Sequence, residues 1–328
     1  LIFGMWNIGD LYFLSIGEQS TIMDSFFHGF LKVLPLIVVS YGVGLGVEFI
    51  FVYIRGHEIN EGFLVTGMLI PLIVPIDIPL WMLGVATAFA VLIGKEAFGG
   101  TGMNIVNPAL LARAFLFFAY PSKMSGDTVW INGLANNPNI VDGFTGETLL
   151  GQKANGISEG YSCFVDNKLS LFDMFIGNYA GCVGETSTLA ILIGAFILLF
   201  TGIASFRIMF SVFTGGFLMA LLFNSIAPAG NILLETSAIE HVLIGGFAFG
   251  AVFMATDPVT AAQTNKGKWI YGFLIGAFAI LVRCVNPAYP EGMMLAILLL
   301  NVFSPLIDHY VVKANINARL KRTNLKTT

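Results

Sequence analysis

Charge is scarce in this chain. Asp, Glu, Lys and Arg supply 11% of its 328 residues, while 56% are hydrophobic; soluble domains carry about 25% charged residues. The shortage excludes a water-soluble globular protein, and a net charge of −4 leaves no basic field for nucleic acid. Cysteine is nearly absent too. Cys163, Cys182 and Cys284 stand alone, with no C-x-x-C spacing, so an iron–sulfur or zinc site built from this chain alone is not expected. No G-x-x-x-x-G-K-[ST] loop occurs, and GGTG (99–102) lacks the strand–helix setting of a dinucleotide fold; NADH and ATP are not expected to be handled by this chain itself. The opening LIFGMWNIGD has no initiator Met, no basic flank and no cleavage site. It is therefore no signal peptide, and further upstream residues are expected.

What is present is long apolar runs, with a mean hydropathy of +0.82. They are continuous rather than alternating, which speaks against a β-barrel. Ten segments fall at approximately 1–14, 29–54, 63–75, 79–95, 105–120, 189–204, 208–227, 239–255, 269–286 and 292–312. A hydrocarbon core about 30 Å thick asks for roughly 20 apolar residues per helix, so several segments are short. PIDIP (75–79) separates the third from the fourth, and the fifth carries an early proline. These features predict an all-α polytopic membrane protein with broken or half-helices, which are tolerated where protein or a cavity lines them.

Lysine and arginine set the orientation. Lys313, Arg319, Lys321, Arg322 and Lys326 follow the last segment, which places the C-terminus in the cytoplasm. Counting back, Lys266 and Lys268, Arg207, Lys95 and Arg55 all fall on that side. Residues 121–185, with three lysines against seven acids, then lie on the outer face. The expected organisation is a first membrane half (1–120), an extracytoplasmic loop (121–188), a second membrane half (189–312) and a basic tail (313–328). A weak internal repeat supports two halves: AFGGTGMNIVNPALLARA (97–114) and FGAVFMATDPVTAAQ (249–263) each run into a polar residue followed by proline, at Asn107-Pro108 and Asp257-Pro258.

Within the loop, VDGFTGETLLG (141–151) sets Asp142, Thr145, Gly146 and Thr148 close together. The spacing alone fits an ordinary Asp/Gly/Thr turn, and also a hydroxyl at Thr148 accessible to a modifying enzyme. A second GET, in CVGETSTLA (182–190), lacks the wider pattern; there Thr186 or Ser187 is expected to cap the following helix. In FGGTGMNIVNPALLARAFLFFAYP (98–121), Asn104 and Asn107 can hydrogen-bond the edge of a flat heterocycle and Phe115, Phe117 or Phe118 can cover its face. Glycine packing and lipid-facing Phe is the alternative. Arg113, in mid-segment, is a functional or pairing residue by default. Glu48, Asp257 and Asp308 all map towards the cytoplasmic half, where carboxylates with carbonyls of broken helices can strip water from a hard cation; capping for Asp257 and a wet interface for Asp308 are the plainer readings. Arg283 either pairs internally or snorkels outward. His57 sits in the charged turn RGHEINEGF (55–63), where it is expected to be solvated.

RGHEINEGF, FGGTGMNIVNPALLARAFLFFAYP, GFAFGAVFMATDPV and VNPAYPEGMMLAIL together resemble the B subunits of Na⁺-translocating NADH:quinone oxidoreductases, and more distantly the D subunits of Rnf complexes. The resemblance covers nearly the whole chain. It implies about ten transmembrane helices in two repeated halves, similar to the urea-transporter fold, within a six-subunit complex of the bacterial inner membrane. It implies FMN joined as a phosphoester to the last Thr of Asp-x-x-Ser/Thr-Gly-Ala-Thr, attached outside the cytoplasmic membrane by a flavin transferase. That motif falls on Asp142, Thr145, Gly146 and Thr148, with Glu147 replacing the usual Ala. The resemblance further implies a noncovalent riboflavin, assigned here to the surroundings of Asn104 and Asn107, with Arg113 a further cofactor-binding candidate, and a ubiquinone site at a glycine pair matching Gly44 and Leu45, the second glycine being replaced here. Glu48, Asp257 and Asp308 match the family's Na⁺-linked acids. The function so implied is electron transfer through FMN and riboflavin to quinone, coupled to Na⁺ translocation; an Rnf-type subunit, or a channel or transporter for a small solute, is the alternative.

Overall fold

The computed structural model describes residues 1–56, 61–135, 137–158, 160–164, 168–228, 230–286 and 291–327, with side chains up to Arg322. His57 lies outside them. Among the described residues the chain is helical, its only β pairing being two isolated bridges, Phe144 with Phe164 and Tyr161 with Lys168.

Every expected apolar segment contains helix. The helices that frame the sites are α1 (Ile2–Ser15), α2 (Ile22–Arg55), α3 (Gly62–Leu72), α4 (Leu80–Gly94), α5 (Pro108–Ala119), the short α6 of the loop (Leu149–Ala154), α7 (Thr188–Phe200), α8 (Phe206–Ile226), α9 (Ala238–Leu243), α10 (Phe247–Phe249, running on as a π-helical turn over Gly250–Met254), α11 (Asn265–Val285) and α12 (Met293–Thr327), with further short helical turns at Pro121–Met124, Leu171–Ile176 and Ile232–Glu235. Five are long and apolar enough to cross a membrane: α2, α4 with its following turn, α8, α11 and α12. Helices α3, α5 and α7 are apolar but shorter. The segment expected at 239–255 is two pieces, α9 and α10, because the chain turns at Gly245, whose φ is +66°.

Local sequence explains where the helices start. Thr21 and Asp24 form a reciprocal capping box at α2, satisfying N–H groups that have no partner inside the helix. Asn107 caps α5, its Oδ1 accepting from Ala109 N at 3.0 Å and Leu110 N at 3.3 Å, and Pro108 occupies the first turn, where its missing N–H costs nothing. Ser187 caps α7 by accepting from Ala190 N. The expected cap is therefore Ser187 rather than Thr186.

Small residues let the helices approach. A Cβ on Gly9 would stand 1.8 Å from the Ser25 carbonyl oxygen, and one on Gly276 2.0 Å from that of Val212, so α1 meets α2 and α8 meets α11 with backbones in contact, as in helix pairs that associate in lipid. The outer faces of α7 and α8 expose Phe196, Phe200, Phe210 and Leu218, an apolar surface suited to hydrocarbon. The region 121–188 is not a bare hydrophilic loop. It has its own apolar clusters, one around Val129, Trp130, Ile131 and Cys163 and one around Leu149, Leu150, Met174 and Tyr179. Cys163 is buried there, which pushes its thiol up to about 12. All three cysteines are free and buried.

Candidate functional site

Two cavities collect the polar residues. The first, of about 240 Å³, is walled by Thr148 and Glu147 from the start of α6, by Arg113 and Phe117 from α5, and by Trp130, Tyr179, Glu185 and Glu291. Thr148 is the N-cap of α6, its Oγ accepting from Gly151 N at 3.2 Å. It is partly exposed, and its own hydroxyl proton remains available. Gly146 cannot be enlarged, since a Cβ would lie 2.3 Å from the Asp127 carbonyl oxygen. Thr145 turns inward, accepting from Glu147 N at 3.3 Å, while its N–H donates to Cys163 O at 2.8 Å. Asp142 is exposed and is not part of the cavity wall.

Glu147 points its Oε1 at Asn155 Nδ2, 2.5 Å away. Partial burial raises its carboxyl above the ordinary range, the Asn155 hydrogen bond opposes this, and the charge of Asp127 adds to it.

Arg113 is buried and bonded to Glu291, with Glu185 Oε2 3.8 Å from its Nη1. Glu185 Oε1 also accepts from Cys182 N at 3.1 Å. One guanidinium thus sits between two carboxylates. Sequence reasoning singled out Arg113 and missed both partners: Glu185 lies in the second GET, which reads as a helix entry, and Glu291 in a short polar link between apolar runs. An arginine in mid-helix demands a buried counter-charge, and that demand was the signal available.

The second cavity, of about 420 Å³, is lined by Lys95, Thr101, Asn104, Asn107, Thr256 and Asp257 among apolar residues of α3, α7 and α10. Asn107 Nδ2 donates to Asp257 Oδ2 at 3.3 Å, and Asp257 also accepts from Thr260 Oγ1 and Val259 N, both at 3.1 Å. Beside it, Glu48 of α2 is paired with Lys95, and the Lys95 ammonium lies 5.5 Å from the Phe63 ring centroid. Gly44, one turn before Glu48, packs against that ring, a Cβ there falling 1.9 Å from Phe63 Cζ. Leu45 is half-buried. Asp308 sits elsewhere, accepting from Gln263 N at 2.6 Å, Thr264 N at 3.0 Å and Thr264 Oγ1 at 2.5 Å, and so fixes the entry to α11. Among the described residues no three acidic, His or Cys side chains form a metal-holding cluster, so Glu48, Asp257 and Asp308 do not compose one shell.

Of the two readings of FGGTGMNIVNPALLARAFLFFAYP, the one that sets the asparagines and the Phe cluster around one ring has to span the helix between them. Asn107 precedes α5 and lines the second cavity, whereas Phe117 lies near the end of α5 and lines the first; ten residues of helix span about 15 Å. Arg113 lines the first cavity together with Thr148. Phe115 stacks on Phe89 at 4.7 Å, and Phe118 is 69% exposed. Arg283 pairs internally: it is fully buried, donating to the carbonyls of His241 at 2.6 Å and Ile244 at 3.3 Å.

A helical membrane protein with one hydroxyl-bearing cavity and a second, Asn/Asp/Lys cavity beside a buried ion pair is the class that fold and sites define. Residues 3–317 match the model of the NQR2, RnfD, RnfE family, and the chain belongs to that family. It is 48% identical over 345 residues to the B subunit of the Na(+)-translocating NADH-quinone reductase of Ectopseudomonas mendocina, covering 98% of this chain and 83% of the relative. The corresponding subunit from Chromohalobacter salexigens, which bears the same name, is 47% identical, with 98% and 80% covered, and that of Pseudomonas aeruginosa 48% identical, with 97% and 76% covered.

Proposed function

We propose that this chain is the flavin-carrying membrane subunit of a Na⁺-translocating NADH:quinone oxidoreductase, passing electrons towards ubiquinone as Na⁺ crosses the membrane. The names of its relatives support the reaction class. The observation that carries the flavin assignment is the Thr148 hydroxyl on the wall of the first cavity. The residues there fit a covalently held FMN: Thr148 offers the esterified oxygen, Phe117, Trp130 and Tyr179 offer ring faces, and Arg113, the one cation among the wall residues, is held in place by Glu185 and Glu291. FMN supplies electron transfer when bound; the chain holds and orients it and tunes its surroundings. In the second cavity Asn104 and Asn107 offer the amide groups that a riboflavin edge needs, and Glu48, Asp257 and Asp308 supply successive carboxylates along a Na⁺ path rather than one closed site. Gly44 and Leu45, on the neighbouring face of α2, border the quinone site.

In this reading the ten apolar segments form two repeated halves of a urea-transporter-like bundle. The subunit sits among six in the inner membrane, with Thr148 outside, where a flavin transferase loads it, and the basic tail in the cytoplasm. The test is fluorescence that stays with the denatured polypeptide on a gel. Thr148→Ala is expected to abolish it and Thr148→Ser to keep it, whereas Thr186→Ala leaves it unchanged. Wild-type chain without such fluorescence, produced in cells holding the transferase, sinks the FMN assignment.

A further inference from the structure

Lys95 is assigned no role by the reading above, yet it joins three parts of the structure. Its ammonium is paired with Glu48 where both side chains are about 95% buried, at 4% and 5% exposure. The residue lines the second cavity alongside Asn104, Asn107 and Asp257. It also faces the Phe63 ring, on which Gly44 packs.

The pair is incomplete. Glu48 Oε2 is buried with no hydrogen-bond partner, so the ammonium satisfies one carboxylate oxygen and leaves the other bare. Removing two charges from water costs several kcal/mol per ion, and only good geometry with additional hydrogen bonds offsets it. A carboxylate held this way keeps a residual demand for a cation with room for both oxygens. Na⁺, a small hard ion that takes oxygen ligands, fits that demand; an ammonium on a four-carbon tether does so only in part. The lysine stem is flexible and is carried by the turn between α4 and the short helical turn Glu96–Phe98, and Lys95 lines the adjoining cavity, which gives the ammonium space to swing into. The neighbouring pair, Glu96 with Arg55 at 3.7 Å, is already matched in charge.

We propose that Lys95 is a tethered counter-ion of Glu48, replaced by Na⁺ when negative charge in the second cavity draws the ammonium away. The inference rests on the reading of this chain as a subunit of a Na⁺-translocating quinone reductase. Charge balances in the exchange: each electron supplied by NADH oxidation and accepted by the flavin proposed for that cavity, with no proton taken up, adds one negative charge there. Lys95 moves towards it, and one Na⁺ takes the vacated place on Glu48. Linkage makes the effect reciprocal, so Na⁺ on Glu48 equally favours negative charge in the cavity. Lys95 is thereby a positioning residue that ties ion occupancy to electron occupancy without touching the reacting atoms.

The experiment measures ²²Na⁺ binding to the purified oxidised complex by equilibrium dialysis, with flavin content recorded for each variant. Lys95→Met removes the competing charge at similar volume and is expected to raise Na⁺ affinity of the oxidised form about tenfold. Lys95→Arg sets a two-pronged donor against both carboxylate oxygens and is expected to lower it by about as much. Glu48→Gln combined with Lys95→Met abolishes the gain. Unchanged affinity in Lys95→Met and Lys95→Arg, with flavins retained and Na⁺-dependent quinone reduction still sensitive to Glu48→Gln, overturns the role of Lys95 alone. Indifference of that dependence to Glu48→Gln overturns the underlying assignment of Glu48 to the Na⁺ path. Should Lys95→Met fail to assemble, Lys95→Arg decides by itself.

Discussion

Asn107 and Asp257 are bonded to each other, Nδ2 to Oδ2 at 3.3 Å, across 150 residues of sequence. Both precede a proline, and together they close one wall of the second cavity. The two local settings differ. Asn107-Pro108 opens α5, whereas Asp257-Pro258 opens a non-helical turn, with Asp257 accepting from Val259 N and Thr260 Oγ1. Two similar sequence motifs thus meet face to face with different jobs, one capping a helix and one presenting a carboxylate.

Asn107 does two things at once, since Oδ1 caps α5 while Nδ2 holds Asp257. Asn107→Asp keeps the cap but sets two carboxylates against each other. Asn107→Ala removes both contacts, and loss of the cap alone costs about 1 kcal/mol. The expected order of thermal stability in detergent is wild type, then Asn107→Ser, then Asn107→Ala. Asn107→Asp is expected to shed noncovalent flavin beyond what its melting temperature accounts for. Flavin released on acid extraction, read beside the melting curve, separates these effects; parallel losses in all three variants would count against a direct contact between Asn107 and the ligand.

Much of this arrangement was legible in the sequence. The apolar segments, the break at PIDIP, the early proline of α5 and a cap at Thr186 or Ser187 follow from hydropathy and local hydrogen bonding, which depend on neighbours in sequence. Contacts between distant segments were not legible. Lys95 reads as an orienting charge in a turn, yet it is buried against Glu48, 47 residues away. Glu185 reads as part of a helix entry, yet it lies beside Arg113. Asp308 reads as an interfacial acid, whereas it receives the N–H groups of Gln263 and Thr264. In each case a lone charge in an apolar setting announces that a partner exists, and only the packing of helices says which.

Gly44 and Gly46 offer a contrast on one helix. A Cβ at Gly46 meets nothing within 4 Å, while one at Gly44 falls 1.9 Å from Phe63 Cζ, in a ring that is completely buried. Gly44→Ala must displace the Phe63 ring, which also faces the Lys95 ammonium, and such overpacking costs about 1–3 kcal/mol. The expected outcome is a lower melting temperature with altered quinone KM and Na⁺ dependence for Gly44→Ala, and near wild-type behaviour for Gly46→Ala. Equal effects from both would show that crowding at Phe63 is not the cause.

Glu147 stands directly before the hydroxyl proposed to receive the flavin. Partial burial disfavours its charged form, Asn155 Nδ2 stabilises that form, and Asp127 again disfavours it. With the carboxyl raised above its unfolded value, the folded state binds a proton more readily than the unfolded chain does. Stability from this group is therefore fully present below the unfolded pKa and is lost as pH rises through the folded one. Glu147→Ala is expected to flatten the fall of melting temperature with pH just above the ordinary carboxylate range, since the ionised form no longer has to be held in a half-buried site. The same change removes a negative charge beside an incoming phosphate. Covalent flavin incorporation in the presence of the transferase is expected to be faster in Glu147→Ala than in wild type, and Glu147→Gln to resemble the alanine variant. If Glu147→Gln instead incorporates flavin at the wild-type rate while Glu147→Ala is faster, bulk rather than charge limits the reaction.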